Sequence, residues 1–304
     1  MERVLMSAVE EQRRARRWGI FFKLLLAAYV FGFLAMFIVG GLDEAPLSGR
    51  HTALVDLDGV IAADSEANAD NVISGLRAAF ESKATAGVIL RTNSPGGSPV
   101  QSAYIYDEIR RLRAEHPAVP FYAVIGDICA SGCYYAVAGA DKIFASPASI
   151  VGSIGVLMDG FGFVDSMKKL GVERRLLTAG ENKGILDPFS PLDAKARTHT
   201  QEMLDEIHEQ FIETVKEGRG DAINEDTNKD IFSGLFWTGA RAKELGLVDE
   251  FGSAGFVARE VIKAEDIVDY TFRENLLDRF AERIGAAMAH TMAAAISSAA
   301  PSLR

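Results

Sequence analysis

The stretch Gly126–Tyr134, GDICASGCY, sets a serine among small residues, between a strand-like run and a helix-like one. A strand-to-helix turn of this kind can lift a hydroxyl clear of its backbone and make it a nucleophile. The ordinary alternative is that Ser131 caps the helix that follows, because serine is a favoured N-cap. A serine hydroxyl attacks only once a base removes its proton. The five histidines (His51, His116, His199, His208 and His290) fall in helix-like or linker contexts, none in a glycine-rich loop after a strand. The G-x-S-x-G pattern is also missing, since Cys129 and Cys133 stand where its glycines would be. The sequence therefore argues against a Ser-His-Asp triad. A lysine can serve instead where burial disfavours its charged form. LLTAGENKGILDPFSP supplies one in Lys183, although a lysine in a loop is ordinarily solvated. Lys142 and the pair Lys168–Lys169 are weaker candidates, the pair lying on the exposed face of a helix.

These groups need a frame, and the pattern around them alternates. TALVDLDGVI, AGVILRTN, VPFYAVIGD and DKIFAS read as strands; ADNVISGLRAAFES, SAYIYDEIRRLRAEH and SGCYYAVAGA read as helices between them. Short β-branched runs alternating with helical ones imply βαβ crossovers and an α/β fold. The segments NSPGGS, DICASG and SIVGSIG read as small-residue loops at the ends of strands, where such folds bind ligands. From about Leu192 a long polar-faced helix begins, with Leu204, Ile207, Phe211 and Val215 at helical spacing. The simplest reading of that stripe is packing.

The chain has 304 residues and a net charge of −10, which argues against nucleic acid as a partner. Six of its 32 basic residues fall within the first 23 positions: Arg3, Arg13, Arg14, Arg16, Arg17 and Lys23. From Gly19 to Leu42 there are 24 residues with Lys23 as the single charge, long enough for a bilayer-spanning helix. A cleaved signal would have a shorter apolar region and a small-x-small site, and LDEAPLSGR offers none that convinces. The expected organisation is a basic cytoplasmic segment over 1–18 and a transmembrane anchor over 19–42. One globular domain over 48–272 and a tail over 273–304 complete it. With the basic flank inside, the domain is expected outside the cytoplasm, which in a bacterium is the periplasm or cell exterior. The tail opens amphipathically, with Leu276, Leu277, Phe280 and Ile284 on one face, then turns alanine-rich. The membrane, a neighbouring subunit and loose order are all open for it.

The two cysteines, Cys129 and Cys133, bracket Ser131. Their simplest reading is two small, buried, semi-apolar side chains, with a bridge across the turn open in an oxidising compartment. No histidine lies between His116 and His199, so no zinc shell forms around them, and neither metal nor cofactor is expected.

Four blocks together, NSPGGS, ASGCYYAVAGADKIFASPASIVGSIGV, ENKGILDPFSPL and WTGARAKELGLVDEFG, resemble the bacterial signal peptide peptidases of the serine–lysine type (SppA). The likeness is to the short form with one catalytic domain per chain, and it covers about residues 50–265. It implies a ClpP/crotonase-like fold of repeated ββα units, with stacked sheets and surrounding helices. Carried over by position, Ser131 matches the nucleophile, Lys183 the general base, and the amides of Gly97 and Gly132 the oxyanion hole. Ser153 falls where a hydroxyl would orient the lysine; as an isolated residue it reads equally as a turn serine. Cys133 departs from the family, which usually has glycine there. The implied activity is serine endopeptidase action on signal peptides left in the membrane and on unfolded segments. The implied assembly is a homo-oligomer, most simply an octamer, in which serine and lysine come from neighbouring subunits. The other classes open to this fold are a crotonase-type acyl-CoA enzyme and an inert membrane scaffold.

Overall fold

The computed structural model describes residues 2–40, 49–223 and 228–273. The chain divides into two compact units, 1–48 and 49–304, and each is taken by itself. In the first, a single helix α1 runs Glu2–Gly40. From Trp18 to Phe33 its described apolar side chains, Phe22, Leu26 and Phe31 among them, are exposed. Among the described residues no helix is long and apolar enough to cross a membrane. The expected anchor over 19–42 reaches past them, since residues 41–42 and the side chains of 34–40 lie outside. Residues 274–304, with the amphipathic face of Leu276, Leu277, Phe280 and Ile284, also lie outside the described residues.

The second unit is the α/β domain that the alternation predicts. Its elements are β1 (His51–Asp58), α2 (Ala69–Glu81), β2 (Thr85–Ser94), α3 (Pro99–Glu115), β3 (Phe121–Ala130), α4 (Gly132–Val137), β4 (Lys142–Ala145) and β5 (Ile150–Gly152). There follow α5 (Val164–Lys169), α6 (Ala194–Arg219), β6 (Phe236–Thr238), α7 (Gly239–Glu244) and β7 (Glu250–Phe251). A short α8 (Ala254–Phe256) leads into a π-helical stretch Val257–Ile262, and β8 (Ile267–Asp269) closes the described chain. The segment SIVGSIG, read as a loop, contains β5: three residues are too few for a period to be visible, and pairing with β3 makes them a strand.

Strands β5, β3, β2, β1 and β8 pair in parallel in that order, and β6 adds antiparallel to β5. The described strands form one eight-stranded sheet that branches at β3. Tyr122–Val124 pair with β4, whereas Ile128–Ala130 pair with β5. Side-chain alternation feeds two cores. Val55, Leu57, Val88, Leu90, Ala123 and Ile125 pack against α2, α3 and α4; Leu54, Ile89 and Val124 pack with Phe144, Val257 and Ile262. A sheet covered on both faces reads as continuous apolar runs, which is how β2 and β3 look in the sequence. Fully buried side chains such as Phe121 and Phe144 each contribute about 1.5–3 kcal/mol. Ser131 follows directly on β3, the strand that pairs with β2, β4 and β5.

Candidate active site

Several helices here begin on side-chain caps. Asn68 starts α2, Ser98 starts α3, Asp193 starts α6 and Thr238 starts α7, each accepting a hydrogen bond from a backbone N–H of the first turn. Ser131, at the start of α4, makes no such bond. Its φ of 53° and ψ of −125° lie in a region that non-glycine residues seldom occupy. The cap reading of Ser131 therefore fails, and its hydroxyl is left for other work. The turn is held at both ends: the Ser131 N–H donates to Gly152 O at 2.8 Å, and the Tyr135 N–H donates to Ser131 O at 3.0 Å. Tyr134, buried beside it, anchors α4 by donating its hydroxyl to Leu247 O at 2.9 Å.

The loop after β2 comes up against this turn. Ile61 N–H donates to Gly96 O and Ser98 N–H to Ile61 O, which clamps Gly97 between them. Gly97 has φ of 150°, and a Cβ there would stand 2.1 Å from Ile61 O, so only glycine fits. A Cβ on Gly132 would lie 3.1 Å from Gly97 N, so the two glycines meet face to face. Gly132 opens α4, and its N–H belongs to the unpaired donors of a helix start. The bonds of the 94–98 loop run through Gly96, Ser98 and Ile61 and leave the Gly97 N–H out.

Ser153 follows β5 with φ of 53° and is tied by its N–H to Leu235 O at 2.8 Å. Ser131, Gly97, Gly132 and Ser153 line one cavity of about 620 Å³. Of the five residues singled out in the sequence, these four come together. Lys183 does not join them within the chain. It sits exposed on the long excursion between β5 and α6, its N–H donating to Gly180 O at 3.1 Å. A larger cavity of about 750 Å³ runs along that excursion, and Lys183 lines neither. Lys142 is spent elsewhere, in an ion pair with Glu250 at 2.7 Å.

The wall opposite the glycines comes from α6, and sequence reasoning missed its role. Phe211 and Val215 of the predicted stripe are buried in the core, but Leu204, Ile207 and Phe211 also face the cavity, with Gln201, Asp205 and His208 among them. A His208 ring nitrogen, Nε2, lies 3.2 Å from Ile154 O, and Gln201 donates to Asp205 at 2.8 Å. The signal was available: residues 204, 208 and 211 share a helix face. The cysteine expectation also needs correcting. Cys129 and Cys133 are buried as predicted but are bridged, not free, because the first turn of α4 folds back over the end of β3 and brings their Cα atoms to 5.2 Å.

Residues 113–267 match the model of peptidase family S49. Over 241 residues the chain is 32% identical to the Enterococcus faecium protein named "Putative signal peptide peptidase SppA", covering 76% of this chain and 68% of that one. It is 32% identical over 221 residues to "Protease 4" of Haemophilus influenzae, covering 71% of this chain and 35% of that protein. It is also 49% identical over 177 residues to a Brucella melitensis protein named as the Na(+)/H(+) antiporter NhaA. That match covers 58% of this chain but only 24% of the Brucella protein. The chain belongs to peptidase family S49.

Proposed function

We propose that the protein is a membrane-anchored serine endopeptidase with a ClpP/crotonase-like domain. In this reading Ser131 attacks a peptide carbonyl while the uncharged amine of Lys183 takes its proton. The oxyanion that forms is held by the amides of Gly97 and Gly132, and Ser153 orients the lysine. Collapse of the tetrahedral intermediate expels the amine and leaves an acyl-enzyme, which water hydrolyses with the same lysine as base. The observation that carries the reading is the turn at Ser131: a left-handed serine without a capping bond, set against two glycine amides in one cavity.

Because Lys183 is exposed in its own chain, the reading requires a second copy. We take the assembly to be a homo-oligomer, most simply an octamer, in which one subunit's Lys183 completes its neighbour's site. Support comes from the excursion that carries the lysine: Leu157, Phe161, Leu170 and Leu177 on it are largely exposed, Leu177 at 95%. Apolar side chains displayed in such number along one segment are characteristic of an interaction surface. The substrates proposed are signal peptides left in the bacterial inner membrane and other apolar or unfolded peptides. The apolar run over 19–42 behind its arginines supports a single-pass anchor with the domain outside the cytoplasm. The disulfide fits such an oxidising compartment.

The test is a set of three variants of the full chain, Ser131→Ala, Lys183→Ala and His208→Ala, assayed in detergent on a fluorogenic peptide and a solubilised signal peptide. Loss of nearly all turnover in the first two, with folding and assembly intact, is expected. Turnover retained in Lys183→Ala but lost in His208→Ala would move the base to the helix wall and overturn the lysine assignment.

A further inference from the structure

The serine of the cavity sits inside a covalent ring. Cys129 is the last residue but one of β3, locked by strand pairing to Ser94 on one side and Val151 on the other. Cys133 is the second residue of α4, and the bridge between them spans four positions with Ser131 at the centre. We propose that the Cys129–Cys133 disulfide is a positioning device for the nucleophile. It holds Ser131 in the left-handed backbone conformation that presents its hydroxyl to the cavity, so the competent enzyme is the oxidised chain. The inference rests on the reading of Ser131 as nucleophile.

Three observations carry it. A serine at φ 53° and ψ −125° is strained, and such a residue persists only where its surroundings over-determine it. The two backbone bonds of the turn restrain the Ser131 N–H and C=O, yet the residue gains nothing from its own side chain. A turn of φ into the negative region would redirect the chain between Ala130 and Gly132 and shift residue 133 relative to 129. The bridge opposes that shift by fixing the flanking Cα atoms at 5.2 Å. Second, a disulfide stabilises a fold chiefly by shortening the unfolded chain's loops, and the effect is least for a short loop. With a sequence separation of four, this one has little to offer global stability and much to offer local geometry. Third, both cysteines are fully buried, so the bridge is set during folding and shielded afterwards. Its formation is a two-electron exchange. The two thiols surrender two protons and two electrons to a disulfide-bearing oxidant, which departs as two thiols, and one S–S bond replaces two S–H bonds.

The experiment compares the full chain with Cys129→Ala/Cys133→Ala on the fluorogenic peptide, with thermal melting alongside. The expected result, at a temperature where the melts show both proteins fully folded, is a kcat about tenfold lower with KM changed by less than about twofold, as for an interaction made only in the transition state. To cover a variant that fails to fold, the unaltered chain is unfolded with a dithiol reductant, refolded reduced, and then oxidised with a small disulfide while free thiols and turnover are followed. Turnover that returns together with the loss of thiols supports the proposal. Full turnover before the thiols close, or a bridgeless variant that melts lower yet retains kcat, overturns it and leaves a purely structural staple. So does a purified, active chain found by mass to carry two free thiols. An unaltered, bridged chain without any turnover would instead count against the peptidase reading, which separates the two failures.

Discussion

Gly132→Ala tests the amide pair directly, because its cost can be worked from the geometry. The new Cβ would stand 2.4 Å from Ser102 Oγ and 3.1 Å from Gly97 N. The first distance is about 1 Å short of ordinary contact, the second only a few tenths. Ser102 is fully buried in the first turn of α3 and donates its hydroxyl to Ser98 O at 2.9 Å, so it gives way reluctantly. The alternative is that α4 shifts and carries the Gly132 amide off the oxyanion. A displacement of that size, or loss of one oxyanion donor, costs about 10²-fold in turnover, so kcat is predicted to fall by about that factor with KM little changed. Removing the obstacle should restore much of it. Ser102→Ala alone loses a hydroxyl–carbonyl bond worth about 1 kcal/mol of stability and leaves turnover near that of the unaltered chain. Ser102→Ala/Gly132→Ala is predicted to recover at least about tenfold over Gly132→Ala, a coupling of about 1.4 kcal/mol. The residue of the loss reflects the tight contact with Gly97. The assay is steady-state hydrolysis of a fluorogenic peptide by all four proteins, with circular-dichroism melts to exclude unfolding. A double variant as impaired as Gly132→Ala, all proteins being equally folded, would refute the steric argument. A fully active Gly132→Ala would refute the amide pair itself.

Two further outcomes are expected. Glu108, nearly buried on α3, accepts from Arg111 at 2.7 Å and from Arg77 at 2.6 Å, and these bonds, Arg111's first, hold its carboxyl at about 2 against an ordinary 4.5, over the opposing effect of burial. A depressed carboxyl supplies stability that is complete above its unfolded value and lost as pH falls toward the folded one. The melting temperature of the unaltered chain should therefore drop more steeply between pH 4.5 and 2 than that of Glu108→Gln; parallel curves would sink the assignment. On the excursion, Leu170→Glu/Leu177→Glu replaces two side chains that are 80% and 95% exposed and outside both cores. Sedimentation should move from oligomer to smaller species, with melting unchanged and turnover lost; an unaltered mass would place the contact elsewhere.

The readable parts of the sequence were those governed by local rules. Strands β1 to β3 are apolar because both faces of the sheet are covered, and α2, α3 and α6 carry their own caps in Asn68, Ser98 and Asp193. Ser131 was legible as a serine in a small-residue turn after a strand, whereas Gly97, Gly132 and Ser153 came only with the family resemblance; all four line one cavity. What escaped had non-local causes. The three residues of β5 become a strand only because β3 bends to meet them. His208 shares a helix face with Leu204 and Phe211, but that this helix crosses the cavity is a tertiary fact. Four residues along an ideal helix do not decide whether two sulfurs meet. The serine turn between them does.

The exposure of Lys183 bears on how such a site can be built. A lysine serves as base where burial disfavours its charged form, and Lys183 is exposed. Two routes would bury it. The excursion could fold onto its own domain, but it shows few ties for doing so: its main long-range bonds run within itself, as with Phe163 N–H to Pro188 O and Arg174 to Asp187. The other route is a neighbouring copy, whose arrival would cover the excursion's leucines and phenylalanines and desolvate the amine in one event. On that argument catalysis and assembly are a single transition. A lone subunit would keep its serine, its amides and its cavity, and lack both a lysine beside the serine and the dry environment in which an amine gives up its proton. Dilution below the association threshold should then abolish turnover without unfolding the domain, and it should do so with the concentration dependence of the assembly itself.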